Sequence, residues 1–323
     1  MPLVLASTND EGDENANRAP HAKHVQLLTA CGLALLALGP AFLLATGNTA
    51  IRMSADDTIP PVSLWSALIA PLASSLLAWR IPPHCAPRGH LSAIPRPRLA
   101  RELMVLVAMA VAFPVAVGIT EAAGMERGLE YPALKLALFL VVPLVAFRLI
   151  RTNTNANAPA ARTMPLRIPY RQWLAPLTVV VAWFCLYKLS PWAPPRIHAY
   201  DLPDPATLAV TSIETMVTAS ILEEVFYRGF LQTRAEKLYG RWFAIALASL
   251  LFAAMHIPRR VHADAIGLGL ATVLSFQGIF AIFQGYVWSR YRNIWVTALV
   301  HVMMNLVYVD VTLDSLDKLV RAL

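Results

Sequence analysis

Charge is what this chain has least of. Only 15% of its 323 residues are Asp, Glu, Lys or Arg, where a soluble domain holds about a quarter. Apolar residues make up 57%, and the mean hydropathy is +0.53. That balance excludes an ordinary water-soluble globule and predicts an all-α bundle of transmembrane helices. Cysteine is also scarce. Cys31, Cys85 and Cys185 show no C-x-x-C spacing, so a cysteine metal site is not expected, and they read as small buried hydrophobes. No G-x-S-x-G elbow is present, which argues against a serine nucleophile. The zincin helix H-E-x-x-H is missing too. The N-terminus lacks the basic-then-apolar order of a signal peptide. Met1 to His24 is instead polar and acidic, and residues 1–24 are expected to form a disordered, solvated tail. The closing "VRAL" is no lipidation signal. The net charge of +7 does not point to nucleic acid, because the basic residues cluster between apolar runs, as in the cytoplasmic loops of membrane proteins.

What the chain does have is apolar runs of spanning length, about 17–25 residues. They lie at Val25–Thr46, Pro61–Trp79, Glu102–Thr120, Pro132–Ile150, Trp173–Leu189, within Ala206–Leu238, and at Trp242–Ile257, Ala265–Trp288 and Ile294–Val311. Eight or nine spans are therefore expected. Arg80, Arg88, Arg96, Arg98 and Arg101 read as one loop, and Arg148, Arg151, Arg162, Arg167 and Arg171 as another. Arg234, Lys237, Arg241, Arg290 and Arg292 read as two tight turns. With nine spans, all of these fall on the side of the N-terminus. The positive-inside rule then makes that side cytoplasmic, as in a multi-pass protein of a bacterial inner membrane. Residues 25–172 read as a first helical section without motif, 173–313 as the section carrying chemistry, and 314–323 as a short tail.

Four polar features interrupt the last third. These are Glu223-Glu224 with Arg228, "FAAMH" ending at His256, "HVMMN" from His301 to Asn305, and the helix "SFQGIFAIFQGYVW" with Gln277 and Gln284. Each is costly in a bilayer, and such groups mark function or pair with one another. Glu224 and Arg228 are i,i+4 and share a face. Glu223 is rotated about 100° from Glu224 and stays free of that pair. His301 and Asn305 are also i,i+4. Tyr239-Gly240 reads as a helix-ending turn. Glu223 lies 16 residues before Tyr239 and His256 lies 16 after Gly240, so an antiparallel hairpin returns both to one depth. Glu223, His256, His301 and Asn305 are therefore expected to converge. For each alone a bland reading exists: a buried ion pair that fixes packing, or a histidine that joins helices.

Three chemistries fit such a set. Glutamate and histidine can activate water as general base while histidine and asparagine stabilise an oxyanion. Glutamate and histidine can instead ligate zinc, which activates the water. Or they can relay protons in a transporter. A non-catalytic immunity or scaffold protein is the remaining alternative.

At these residues the chain resembles the CPBP family, the CAAX-protease and bacteriocin-processing (Abi) membrane proteins. That family's pattern is E-E-x-x-x-R, then F-x-x-x-H, then H-x-x-x-N or D. Here it reads Glu223-Glu224…Arg228, Phe252…His256 and His301…Asn305. The Gly-Tyr and Ile-Trp of "GYVWSRYRNIWVTALVHVMMN" are similar too. The resemblance covers about Ala206 to Val311, and the first five helices carry no signature. It implies a glutamic-type intramembrane endopeptidase acting on a membrane-associated protein or peptide, with no cofactor and no metal ligand. By carry-over, Glu223 is the general base, assisted by His256. His301 and Asn305 form the oxyanion hole, and Glu224 and Arg228 support the motif helix. The long N-terminal helical section resembles relatives that accompany exosortase-like sorting. Depth counting from the Arg-rich turns puts the pair Glu223 and His256 nearer the extracytoplasmic face. Prenyl-processing relatives are expected to open to the cytosol instead.

Overall fold

The computed structural model describes residues 10–51, 61–83, 94–124, 130–152, 168–194, 204–261 and 264–305. Cys85, most of the two proline-rich connectors, the last span beyond Asn305 and both extreme termini lie outside them. Nine helical segments follow one another among the described residues. They are α1 (Asp10–Ala45), α2 (Leu64–Arg80) and α3 (Arg96–Ala122). Then comes α4, built of Glu130–Leu136, the π-helical Ala137–Val141 and Val142–Thr152. α5 is Arg171–Lys188. α6 is continuous from Pro205–Glu214 to Thr233–Tyr239. It is followed by α7 (Arg241–Ala254) and by α8, which covers Ile266–Tyr291 with a π-helical stretch at Leu274–Gly278. α9 is Ile294–Asn305. A two-residue antiparallel pairing of Ala50–Ile51 with Val62–Ser63 is the strand structure described.

By length and composition, Ala22–Ala45, α3, Glu130–Arg151 and α8 can cross a membrane, and α2, α7 and α9 are shorter apolar helices. The surface agrees with this. Leu27, Leu38, Met104, Ile119, Leu149 and Val210 are each about 60% exposed or more, on faces that only lipid would cover. Pro71, Pro114 and Pro176 sit inside helices, as spanning helices tolerate. Gly39 lets α1 meet α8 closely. A Cβ there would stand 2.6 Å from Leu274 Cβ and 2.8 Å from the Ala271 carbonyl.

Four sequence expectations change. Cys31 and Cys185, read as small buried hydrophobes, are exposed. The polar stretch read as a disordered tail is helical from Asp10 and runs on into the first span. Arg98, read as a loop residue, lies in the first turns of α3. Pro97 is accepted there because the first turn has no carbonyl partner to lose. Arg234, read as part of a turn, is buried in α6. Both arginines pair with Glu102, Arg98 at 2.9 Å and Arg234 at 2.8 Å.

The two sections read from the sequence share one core. A single cluster of buried residues joins Leu106 and Phe113 of α3, Phe139 of α4, Phe226 and Tyr227 of α6, and Phe252 of α7. Phe139 stacks on Phe226 with centroids 4.3 Å apart. The Arg-rich ends gather at one end of the bundle. Arg96 donates to the Leu238 carbonyl, Arg290 donates to those of Ile81 and Trp79, and Arg292 pairs with Glu236 at 2.6 Å.

Candidate active site

The stretch Ile221–Gln232 lies in the middle of α6. A short α-helical turn, Leu222–Glu224, is held between two π-helical stretches, Thr215–Ile221 and Val225–Gln232. The wider π winding shifts backbone bonding by one residue and recurs at functional positions. Thr233 Oγ1 donates to the Arg228 carbonyl, five residues back, at 2.8 Å.

The hairpin expected about Gly240 is present. Gly240 has φ +89° and its N–H donates to Glu236 O. That left-handed backbone is open to glycine at no steric cost. Arg228, 12 residues before Gly240, sits over the ring of Phe252, 12 residues after it, at 5.3 Å. Tyr227 Oη reaches Met255 Sδ at 3.6 Å.

Glu223 and Glu224 are both buried, and they face different partners. Glu224 pairs with Arg228 through Oε2 at 3.3 Å and with His301 Nδ1 through Oε1 at 3.0 Å. A carboxylate can only accept, so Nδ1 carries the proton and Nε2 points onward. His301 Nε2 stands 3.9 Å from Glu223 Oε2. Glu223 Oε1 is held by the ammonium of Lys135, from α4. Its Oε2 makes no hydrogen bond among the described residues. The result is a line of ionisable groups across three helices: Arg228, Glu224, His301, Glu223, Lys135.

Asn305 follows His301 by one turn, and its Nδ2 donates to Ser220 Oγ at 3.3 Å. Residues 301 and 305 thus meet 224 and 220 in reversed order, so α9 runs antiparallel to α6. His256 stands just beyond α7. Its Nδ1 lies 2.9 Å from the Phe252 carbonyl, to which it donates, leaving Nε2 as the lone-pair nitrogen of the neutral ring. The Phe252 ring is near both histidines, with ring centroids 5.1 Å from His256 and 5.8 Å from His301. His301 is therefore the histidine at the carboxylates. His256 shares Phe252 with it as a ring neighbour and forms no ion pair with Glu223 among the described residues. Among those residues, no group of three or more His, Cys, Asp or Glu is placed to hold a metal ion.

The glutamines of α8 serve packing. Gln284 donates to Thr297 O at 2.8 Å. With its amide oriented to suit its neighbours, Gln277 accepts from Arg260 Nε at 3.0 Å. Sequence reasoning missed Lys135 and Glu102. Each is a charge inside an apolar helix, and that signal alone could have flagged them.

Residues 205–307 match the family model described as Type II CAAX prenyl endopeptidase Rce1-like. The match opens at the start of α6 and closes just past α9, so it contains Glu223, Glu224, Arg228, His256, His301 and Asn305. It bears out the resemblance read from the three motifs and indicates a protease domain. It says nothing of the exosortase-associated subgroup. No curated protein and no solved structure is matched. With its long apolar helices, the chain is an integral membrane protein that carries a protease-type domain.

Proposed function

We propose that the protein is an intramembrane endopeptidase of the glutamic type, cutting a peptide bond of a membrane-associated protein or peptide. The observation that carries this reading is the carboxylate of Glu223. It is buried among apolar helices, clamped at Oε1, without a hydrogen bond at Oε2 among the described residues, and faced by a histidine. Glu223 takes a proton from water as the oxygen attacks the scissile carbonyl. His256 assists by accepting from the same water through Nε2. His301 and Asn305 donate to the oxyanion that forms. Nδ1 of His301 is committed to Glu224, so Nε2 donates only in the doubly protonated ring. Asn305 keeps a second amide hydrogen beyond the one given to Ser220. When the tetrahedral species collapses, the C–N bond breaks and Glu223 returns its proton to the leaving amine.

The test compares peptide termini in membranes of cells making wild-type or Glu223→Gln protein. Termini found only with wild type are expected; identical sets would overturn the reading. The prenylated CAAX substrate in the matched family's name is one member of the substrate class proposed here.

Water activation in this scheme uses no metal. Chelators such as EDTA or phenanthroline are therefore expected to leave cleavage by purified protein unchanged. Loss of cleavage that zinc restores would favour the zinc-dependent alternative.

The reading also includes a side. The Arg-rich helix ends gather at one end of the bundle, and the positive-inside rule makes that end cytoplasmic. Glu223 lies 16 residues from Tyr239, about 24 Å of helix, in a hydrocarbon core about 30 Å thick. The site then opens toward the extracytoplasmic face of a bacterial inner membrane, with the N-terminus in the cytoplasm. Asp264 is exposed beyond α7. In a variant with Cys31, Cys85 and Cys185 replaced, Asp264→Cys should react with an impermeant maleimide added to intact cells. Reaction only after lysis would invert the orientation.

A further inference from the structure

We propose that Lys135 is a positioning residue for Glu223. It holds one carboxylate oxygen so that the other is presented to water and to His301. This rests on Glu223 being the base, and it brings into the mechanism a helix that lies outside the matched segment.

The ammonium of Lys135 and the carboxylate of Glu223 are each on residues only 2% exposed, and they form an ion pair through Oε1. A buried carboxylate held at a single oxygen cannot rotate about its last bond without losing that contact. Oε2 is then fixed in direction, 3.9 Å from His301 Nε2. The lysine is fixed in turn. Its ammonium lies 5.5 Å from the ring of Tyr131 and 5.8 Å from that of Phe113, distances at which cations are attracted to aromatic faces. Four residues along α4, Phe139 stacks on Phe226, three residues along α6. That stack sets the separation of the two helices beside the ion pair.

The other charged or titratable groups about Glu223 are already committed or stand on its own helix. Arg228 is given to Glu224 at 3.3 Å, and Tyr227 turns its hydroxyl to Met255. His301 faces Oε2 rather than Oε1. Lysine suits the task better than arginine would. An ammonium is a point donor that takes one oxygen, whereas a guanidinium fork tends to take both. A fork would occupy the oxygen needed for water.

The experiment uses full-length protein in proteoliposomes and a quenched peptide that carries a cleavage sequence found by the terminus comparison. Lys135→Met should lower kcat about 10- to 100-fold, the loss typical of a misplaced reacting group, with KM changed less than about twofold. Lys135→Arg should keep the thermal stability of wild type yet recover only part of kcat, a split that a merely structural lysine would not give. Wild-type kcat in Lys135→Met, beside an inactive Glu223→Gln, would overturn the role of Lys135 and leave the base in place. An active Glu223→Gln protein would remove the base itself. If Lys135→Met is too unstable to assay, the double variant Lys135→Met/Glu223→Gln decides. Recovery of its melting temperature supports the pair, because the buried charge left behind has gone. A double variant as unstable as Lys135→Met would show that Lys135 acts through something other than Glu223 and would overturn the proposal.

Discussion

Glu223→Gln protein will insert into the membrane, purify as a folded species and cleave about 10²- to 10⁴-fold more slowly than wild type, the range associated with loss of a general base. The substitution is nearly isosteric, and the amide oxygen can still accept from Lys135, so packing against Phe226 and α4 survives. What disappears is a group that can take a proton from water. Part of the ion pair's attraction is lost as well, so the melting temperature should fall, but far less than the rate. The measurement is the yield of cleaved peptide per folded molecule, read beside the melting temperature. Wild-type processing by this variant would sink the assignment of Glu223.

Arg228→Ala should fail differently, losing stability and activity together. The guanidinium is fully buried, pairs with Glu224 and lies over the ring of Phe252. Removing it leaves the Glu224 charge in the core without its guanidinium, held by His301 and Thr297. Breaking a buried pair from one side costs about 3–5 kcal/mol, a large share of the about 5–15 kcal/mol that holds a typical protein folded. Glu224 also receives Nδ1 of His301 at 3.0 Å, so its reorientation would turn the imidazole away from Glu223. Folded yield after size exclusion, melting temperature and cleavage rate should all drop. Glu224→Gln should behave likewise, with Arg228 as the stranded charge. Normal yield of Arg228→Ala with only activity lost would show that the arginine works at the chemistry and not in holding α6.

The costliest groups were the most legible in the sequence. Glu223, Glu224 and Arg228 stand out because nothing else in an apolar run explains them, and i,i+4 counting pairs Glu224 with Arg228 on sight. Counting away from Gly240 set Glu223 level with His256, and the hairpin it relies on is present, with Arg228 over Phe252. His301 and Asn305, also four residues apart, do meet α6 one turn apart, at Glu224 and Ser220. What could not be counted was the choice of neighbour between helices distant in sequence. Lys135 is 88 residues from Glu223, and no local period relates them. Spacing pointed to the wrong histidine: counting from Gly240 sets His256 level with Glu223, yet it is His301 that reaches the carboxylates. Arg98 and Arg234 were misread for a related reason. An arginine near the end of an apolar run resembles a loop charge until its partner is known, and the partner, Glu102, sits on a helix that looked featureless.

The bond between Glu102 and Arg234 crosses from α3 to α6, and the one between Lys135 and Glu223 crosses from α4 to α6. Both bind a charge inside the matched segment 205–307 to a countercharge encoded before it. A fragment cut at residue 205 would carry a guanidinium and a carboxylate into hydrocarbon with their counterions left behind. The stretch that matches the family model therefore depends for its charge balance on residues encoded before it. Anyone grafting this segment onto another scaffold must transplant an ammonium and a carboxylate from two further helices along with it.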